Sequence, residues 1–314
     1  MKRRTFLLTA TSALAAQKLT PRERVDRALE GRDVDRVPFT VWYHFGLEKE
    51  GPERHAEATL SFHHRFSTDL VKVMSDFPYP KPPGRWYELR EETSPFAPQI
   101  RALERIASSL ERKAHFVETI FNPWNQAEKI SSKEEVLRLK AEQPQRLLDA
   151  LEIMARSESN HARRTIAAGA SGIFLAIANA QTGILSPEDY RKFSEPFDRT
   201  ILDAVRGAPL NILHLHGDKV YLDRFLKGWP ARAVNYSFVG TGVPLAATRR
   251  KYPGVLLGGL DEVSFRKLTV DQMRFQVAAA RREAGKKLIL TPGCSVPNDT
   301  ADGEILRLRD VIVG

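Results

Sequence analysis

The order of elements along the chain predicts an α/β fold, a (β/α)8 barrel of parallel strands. Short apolar runs alternate with helix-period stretches about eight times, which favours a closed barrel over a doubly wound open sheet. No G-x-G-x-x-G follows a strand; Gly240-Thr241-Gly242 lacks the third glycine and the helix opening, so a dinucleotide fold has no support.

The elements follow in order. Thr20-Pro21-Arg22-Glu23 opens a helix that runs to about Gly31, with Thr20 as N-cap, Pro21 at N1 and Glu23 completing a capping box. FTVWYHF, residues 39–45, is the expected first strand, ending at His44. A helix near 53–66 leads to LVKVM, the second strand, closed by Ser75 and Asp76. A loop rich in proline and aromatics follows (Pro78, Tyr79, Pro80, Trp86), long for a simple connection. Then come a helix over 98–112, a third strand HFVETIF ending at Asn122, and a polar helical region over 132–168. GIFLAIA is the fourth strand, and Ser186-Pro187-Glu188-Asp189 starts a helix to about Arg206 as a second capping box. NILHLH is the fifth strand, with a helix expected over 220–226. AVNYSFV, VLLGGL and LILT are the sixth to eighth, with helical patterns at 244–251, 269–284 and from about Asp299.

The 314 residues are 42% hydrophobic and 28% charged, as expected for one globular domain over 19–314. Net charge is +9, which favours anionic partners, but no Lys/Arg block interleaved with aromatics points to nucleic acid. A lone cysteine, Cys294, excludes an intrachain disulfide. Residues 1–16 read as a signal peptide: a basic start, a mild apolar stretch too short to span a membrane, and small residues at its end. Arg3-Arg4-Thr5-Phe6-Leu7 resembles a twin-arginine signal, so export to the periplasm is expected.

In a barrel, chemistry sits at the C-terminal ends of strands. Those positions hold His44, Asp76, Asn122, Asn179, His214, His216, Asn235, Asp261 and Cys294. His214 and His216 share a strand face, with Cα atoms roughly 6.6–7 Å apart. With the Cys294 thiolate they make a zinc set of three donors and one open position. Asp218 is a candidate to fix a histidine tautomer. The same residues also suit a plain hydrogen-bonded barrel mouth with Cys294 as small buried filler. Asp76 and His44 are the candidate catalytic pair: Asp76 suits general acid–base work or an N-cap, and His44 a substrate contact. Asp261 suits a helix cap equally well.

An ordered set of segments resembles the uroporphyrinogen decarboxylase superfamily over about residues 19–310: LTPRERVDRALEGRDVDRVPF, DLVKVMSD, NPWN, GILSPEDYRKFSEPF, GGLD and GCSVPNDT. The resemblance implies a (β/α)8 barrel and two chemistries. Its decarboxylases use an aspartate that falls on Asp76 and an arginine-bearing segment after the first strand, which here reads VWYHFGLEKEG without arginine. Their strand-eight histidine falls on Cys294, and their tyrosine after the Pro-Trp turn has no clear counterpart in 125–129. The other branch transfers methyl groups from a methyl-corrinoid to a thiol such as coenzyme M, with zinc on His-x-Cys and a later Cys. His214 and Cys294 match that pattern; His216 stands where the first cysteine would be.

The leading expectation is zinc-assisted methyl transfer from a corrinoid-type donor, with His214, His216 and Cys294 as ligands. The alternatives are cofactor-free decarboxylation of uroporphyrinogen or another carboxylate through Asp76, and an exported tetrapyrrole-binding protein whose mouth is formed by Trp42, Tyr43, Phe45 and Trp86. Relatives with decarboxylase activity pair as dimers, so a homodimer is one assembly the resemblance allows.

Overall fold

The computed structural model describes residues 18–314, so the signal-like segment at 1–16 lies outside the described residues. Seven strands, β1 (Leu70–Val73), β2 (His115–Phe121), β3 (Gly172–Ile177), β4 (Ile212–Leu215), β5 (Ala233–Tyr236), β6 (Val255–Leu260) and β7 (Leu288–Pro292), form one parallel sheet whose spatial order follows the chain. Before and between the first strands lie α1 (Pro21–Glu30), α2 (Pro52–Phe66), α3 (Ala97–Leu110), α4 (Pro123–Ile130), α5 (Lys133–Glu142) and α6 (Pro144–Ala167). Later come α7 (Pro187–Phe193), α8 (Glu195–Ala204), α9 (Phe238–Thr241), α10 (Leu245–Arg249), α11 (Val270–Ala284) and α12 (Asp302–Val313).

Four expectations are corrected. The run 39–45 is not a strand: Phe39 alone bridges Leu290. Pro38 cannot donate to a ladder, and past Thr40 the backbone turns to the loop after β7, where the Trp42 carbonyl accepts from Val296 N–H and His44 N–H donates to Asn298. The helical region 132–168 breaks at Gln143, because Pro144 starts a new helix. The helix from Pro187 breaks at Ser194, whose φ of −140° leaves the helical region. Between β4 and β5 only a 3-10 turn, Leu222–Phe225, forms.

Side chains alternate across each strand. Leu70, Val117, Ile212, Ala233, Leu257 and Ile289 share an inner cluster with Val25, Ala28 and Leu29 of α1. Helix α1 therefore covers the end of the sheet opposite the strand C-termini. Its start is fixed by the reciprocal Thr20–Glu23 cap and its end by Gly31 at φ 71°. The outward residues pack against the helical layer, as Val71, Val73 and Phe116 do on Ile100, Leu103 and Ile106 of α3. Pro38–Thr40 bonds to both edges of the sheet: the Phe39 carbonyl accepts from Asp69 N–H at 2.8 Å, the Pro38 carbonyl from Leu290 N–H at 2.8 Å, and Thr40 N–H donates to the Leu290 carbonyl at 3.1 Å.

Asp69 organises this seam. It is fully buried, accepts from Phe39 N–H at 3.0 Å, and pairs with Arg24 of α1 at 2.5 Å and Arg36 at 2.5 Å. One carboxylate thus ties α1, the 36–39 segment and the edge of β1 together. Removing the charge from a buried pair leaves its partner uncompensated. Asp69→Asn is expected to lower stability by about 3–5 kcal/mol, read as a reduced urea midpoint at unchanged slope. A loss below about 1 kcal/mol, the range of surface pairs, would remove Asp69 from this role.

Candidate metal centre

His214 is directly opposite Ala176 of β3 and Asn235 of β5. The alternation of β4 puts Leu213 and Leu215 outward, in the cluster shared with the helices, and turns His214 and His216 into a cavity of about 410 Å³ at the strand C-termini. Cys294 enters from the loop after β7. The donor atoms of His214, His216 and Cys294 all lie within 4.8 Å of one another. His216 Nδ1 is 3.2 Å from the Cys294 sulfur, and His214 Nε2 is 3.9 Å from it.

The tautomer of His214 follows from its neighbour. Asn235 Nδ2 lies 3.1 Å from the Leu257 carbonyl and 3.1 Å from the Pro292 carbonyl, groups that only accept. This fixes the amide orientation, so Asn235 Oδ1 is the atom 2.6 Å from His214 Nδ1. Nδ1 therefore carries the hydrogen, and Nε2 presents a lone pair to the cavity. The imidazole also stacks on Phe174, centroids 4.9 Å apart at 27°.

The backbone holds the sulfur in place. Gly293 packs so closely that a Cβ would lie 2.3 Å from Ser237 Cα, and its N–H donates to Glu262 at 3.0 Å. After His216, Gly217 adopts φ 124° while Gln181 donates to the His216 carbonyl at 3.0 Å. Burial alone would raise the Cys294 thiol, but hydrogen bonds from the His214 and His216 nitrogens that face the sulfur, protonated while no metal takes their lone pairs, outweigh burial and hold it at about 4. His216 is raised in turn, chiefly by its hydrogen bond to Cys294.

The other predicted residues scatter. His44 lines the same cavity, and its Nδ1 is 3.6 Å from Asp76 Oδ1. Asp76 does not line it: the side chain is 4% exposed, between His44 and His55, and its Oδ2 has no hydrogen-bond partner. Asn122 caps α4 and joins Asn179, Ser194 and Asp198 in a buried network. Asp261 caps the following turn through Val263 and Ser264 N–H. Asp218 is exposed, and the tautomer role assigned to it falls to Asn235. Of the four aromatics expected at the mouth, Trp42 alone lines the cavity; Tyr43 and Phe45 pack on Phe62, and Trp86 bonds Glu135. The sequence reading missed Lys72, Lys129 and Lys133, all on the cavity wall. For Lys72 a signal existed: a charge in the middle of an otherwise apolar strand, LVKVM.

A parallel sheet carrying a donor-lined cavity at its strand C-termini defines an enzyme-like α/β class. The chain belongs to the uroporphyrinogen decarboxylase family: the family model described as Uroporphyrinogen decarboxylase (URO-D) matches residues 84–312. A protein named uroporphyrinogen decarboxylase from Synechococcus sp. (strain JA-3-3Ab) is 30% identical over 254 residues, 64% of this chain and 69% of the relative. The fold is similar to that of a methyltransferase from Methanosarcina mazei, with TM-score 0.71, 17% identity and coverage of 93% of this chain and 98% of the other. A B12-independent methionine synthase from Shewanella sp. W3-18-1 shares the fold at TM-score 0.57 and 10% identity, over 87% and 91% of the two chains.

Because Cys294 is the lone cysteine, its ionisation can be read without interference. In metal-free protein the rate of alkylation by iodoacetamide should be nearly flat from pH 6 to 8, since the thiol already ionises at about 4. His216→Ala should move the midpoint up toward the ordinary thiol value of about 8.5. A wild-type rate that climbs through pH 8 would refute the thiolate.

Proposed function

We propose that this chain is a zinc-dependent transferase of its family, in which His214, His216 and Cys294 hold the metal and a one-carbon group passes from a corrinoid-type donor to a substrate thiol. The observation that carries the reading is the convergence of three donors from two strand ends. Donors on one tetrahedral zinc, at about 2.0–2.3 Å from it, are roughly 3.3–3.8 Å apart. The sulfur-to-nitrogen distances of 3.2 and 3.9 Å bracket that range. When bound, zinc would supply a Lewis acid that keeps a substrate thiol ionised at its remaining open position.

The residues of the chain do the rest. Asn235 holds His214 with its lone pair toward the cavity. Glu262 anchors the backbone N–H before Cys294. Trp42 and Phe174 give the wall flat apolar faces, and Lys129 and Lys133 line it with positive charge, suiting an anionic substrate. The bonds from Phe39 and Pro38 to both sheet edges support reading the architecture as a (β/α)8 barrel with 38–40 as its eighth stave. We also read residues 1–16 as an export signal, from Arg3-Arg4 and the small residues that follow.

A second reading, decarboxylation, draws on Asp76. Its Oδ2 is buried without a partner, and such an orphan acceptor is a reason to look for a ligand or proton there. His44 connects it to the cavity.

Metal analysis of untagged protein should find about one zinc per chain, lost in His214→Ala and Cys294→Ser and kept in Asp76→Asn, since Asp76 is not among the three clustered donors. Demethylation of methylcobalamin by a thiol, followed by its absorbance, should fall at least about 100-fold in the two ligand variants. Absence of zinc together with unchanged rates would sink the metal reading. Release of CO2 abolished by Asp76→Asn alone would establish the second.

A further inference from the structure

The fold buries a lysine where its strand otherwise carries aliphatic side chains. Lys72 sits between Val71 and Val73 in β1, turned inward, with 9% of its surface accessible. Its Nζ is 2.9 Å from Met74 Sδ, 4.7 Å from the Phe174 ring centroid and 5.4 Å from that of Trp42. Among the described residues no carboxylate forms an ion pair with it. Lys72 nevertheless lines the cavity of about 410 Å³, as do Lys129 and Lys133.

We propose that Lys72 is a nucleophilic amine that captures a small oxo acid, a carbonyl compound carrying a carboxylate, as a covalent imine in this cavity. The assignment goes beyond the metal reading and does not rest on it. A thioether and two ring faces solvate an ammonium far less well than water does, so the site weakens the charged form and raises the share of free amine over that of an exposed lysine. Burial lowers its pKa to about 8, against the opposing pull of the anions around it, Cys294, Glu118 and Asp76. The free amine adds to the carbonyl carbon, the carbinolamine loses its hydroxyl as water, and a C=N bond forms. Hydrolysis reverses each step, so no oxidant or reductant is consumed. Lys133 supplies positive charge for the carboxylate, with Glu128 the opposing charge on that wall; Lys129, which burial also lowers to about 8, is a second amine on the same cavity.

The test treats the purified chain with glyoxylate, pyruvate and acetoacetate in turn, adds sodium borohydride at about pH 8, and maps the product by peptide mass spectrometry. Hydride reduces a C=N bond to a stable secondary amine. The expected result is an adduct on Lys72 in at least about tenfold excess over any surface lysine, since an ordinary lysine near 10.4 offers far less free amine at that pH. The adduct should persist in Lys129→Arg, which removes the other cavity amine lowered to about 8, and a label found on Lys129 in place of Lys72 would overturn the assignment. Lys72→Arg keeps a cation in the strand and should give no such adduct; Lys72→Met should give none either. Zinc content is read on the same samples, so a chain without zinc that still labels at Lys72 leaves this inference standing while the metal reading fails. Labelling spread evenly over the lysines would overturn it. So would a folded wild type that binds the three acids without a reducible bond, which would make Lys72 a carboxylate site only.

Discussion

The hydrogen bond from His214 Nδ1 to Asn235 Oδ1, 2.6 Å long, joins residues directly opposite each other on β4 and β5. The amide cannot turn over, because its nitrogen already faces two carbonyl oxygens. A clamped acceptor forces the hydrogen onto Nδ1 and aims the other lone pair into the cavity. With Nδ1 committed to Asn235, Nε2 is the nitrogen left to face the sulfur, as an N–H donor to the thiolate or, once deprotonated, as a lone-pair donor to a metal. Strand pairing, an interaction of the backbone, thus decides what a side chain offers to a ligand.

The chemistry of the site was more legible in the sequence than its surroundings. The period of two on a strand places His214 and His216 on one face whatever the rest of the chain does, and Cys294 follows an apolar run that had to end at the same rim. Asn235 was visible as a strand-end polar residue, yet its role was not, because register between β4 and β5 is long-range information. Asp218 was the nearer carboxylate in sequence, and the glycine between it and His216 turns the chain at φ 124°, leaving Asp218 exposed. The segment 39–45 has strand composition, but its backbone groups past Thr40 find partners in the loop after β7, more than 250 residues on. Propensity cannot see such a competition.

Perturbed ionisation does not by itself mark the working face. Glu118, Glu158 and His161 are all buried and all shifted: burial raises Glu118 well above its usual value and Glu158 to about 8, and it lowers His161 to about 3. At neutral pH Glu158 and His161 are therefore mostly uncharged. Glu118 meets Gln99 of α3 and His161 of α6, so it lies on the outer face of β2, between sheet and helices. Thr119 and Phe121, its neighbours in the alternation, are the β2 residues that face the cavity. Function is assigned by the face a residue occupies first and by its pKa second.

The exchange of a thiolate for an imidazole at His216 has an electrostatic consequence for the proposed metal site. Two thiolates and a neutral imidazole would cancel the charge of a divalent ion; one thiolate and two neutral imidazoles leave one positive charge uncancelled. That surplus would sit in a cavity already lined by Lys72, Lys129 and Lys133 against Glu128 alone. A poorly solvated wall strengthens the field of each charge. With the proposed metal bound, the cavity would discriminate by charge before shape: a neutral ligand would leave the surplus uncompensated, whereas an anionic one would neutralise it. Buried Lys72 would feel the same field, which would oppose its protonation. Without a metal, the thiolate of Cys294 and the carboxylates of Glu118 and Asp76 keep its ammonium from being still less stable; metal binding would take up the thiolate's charge, so the donor set and the lysine are coupled through charge even where they do not touch.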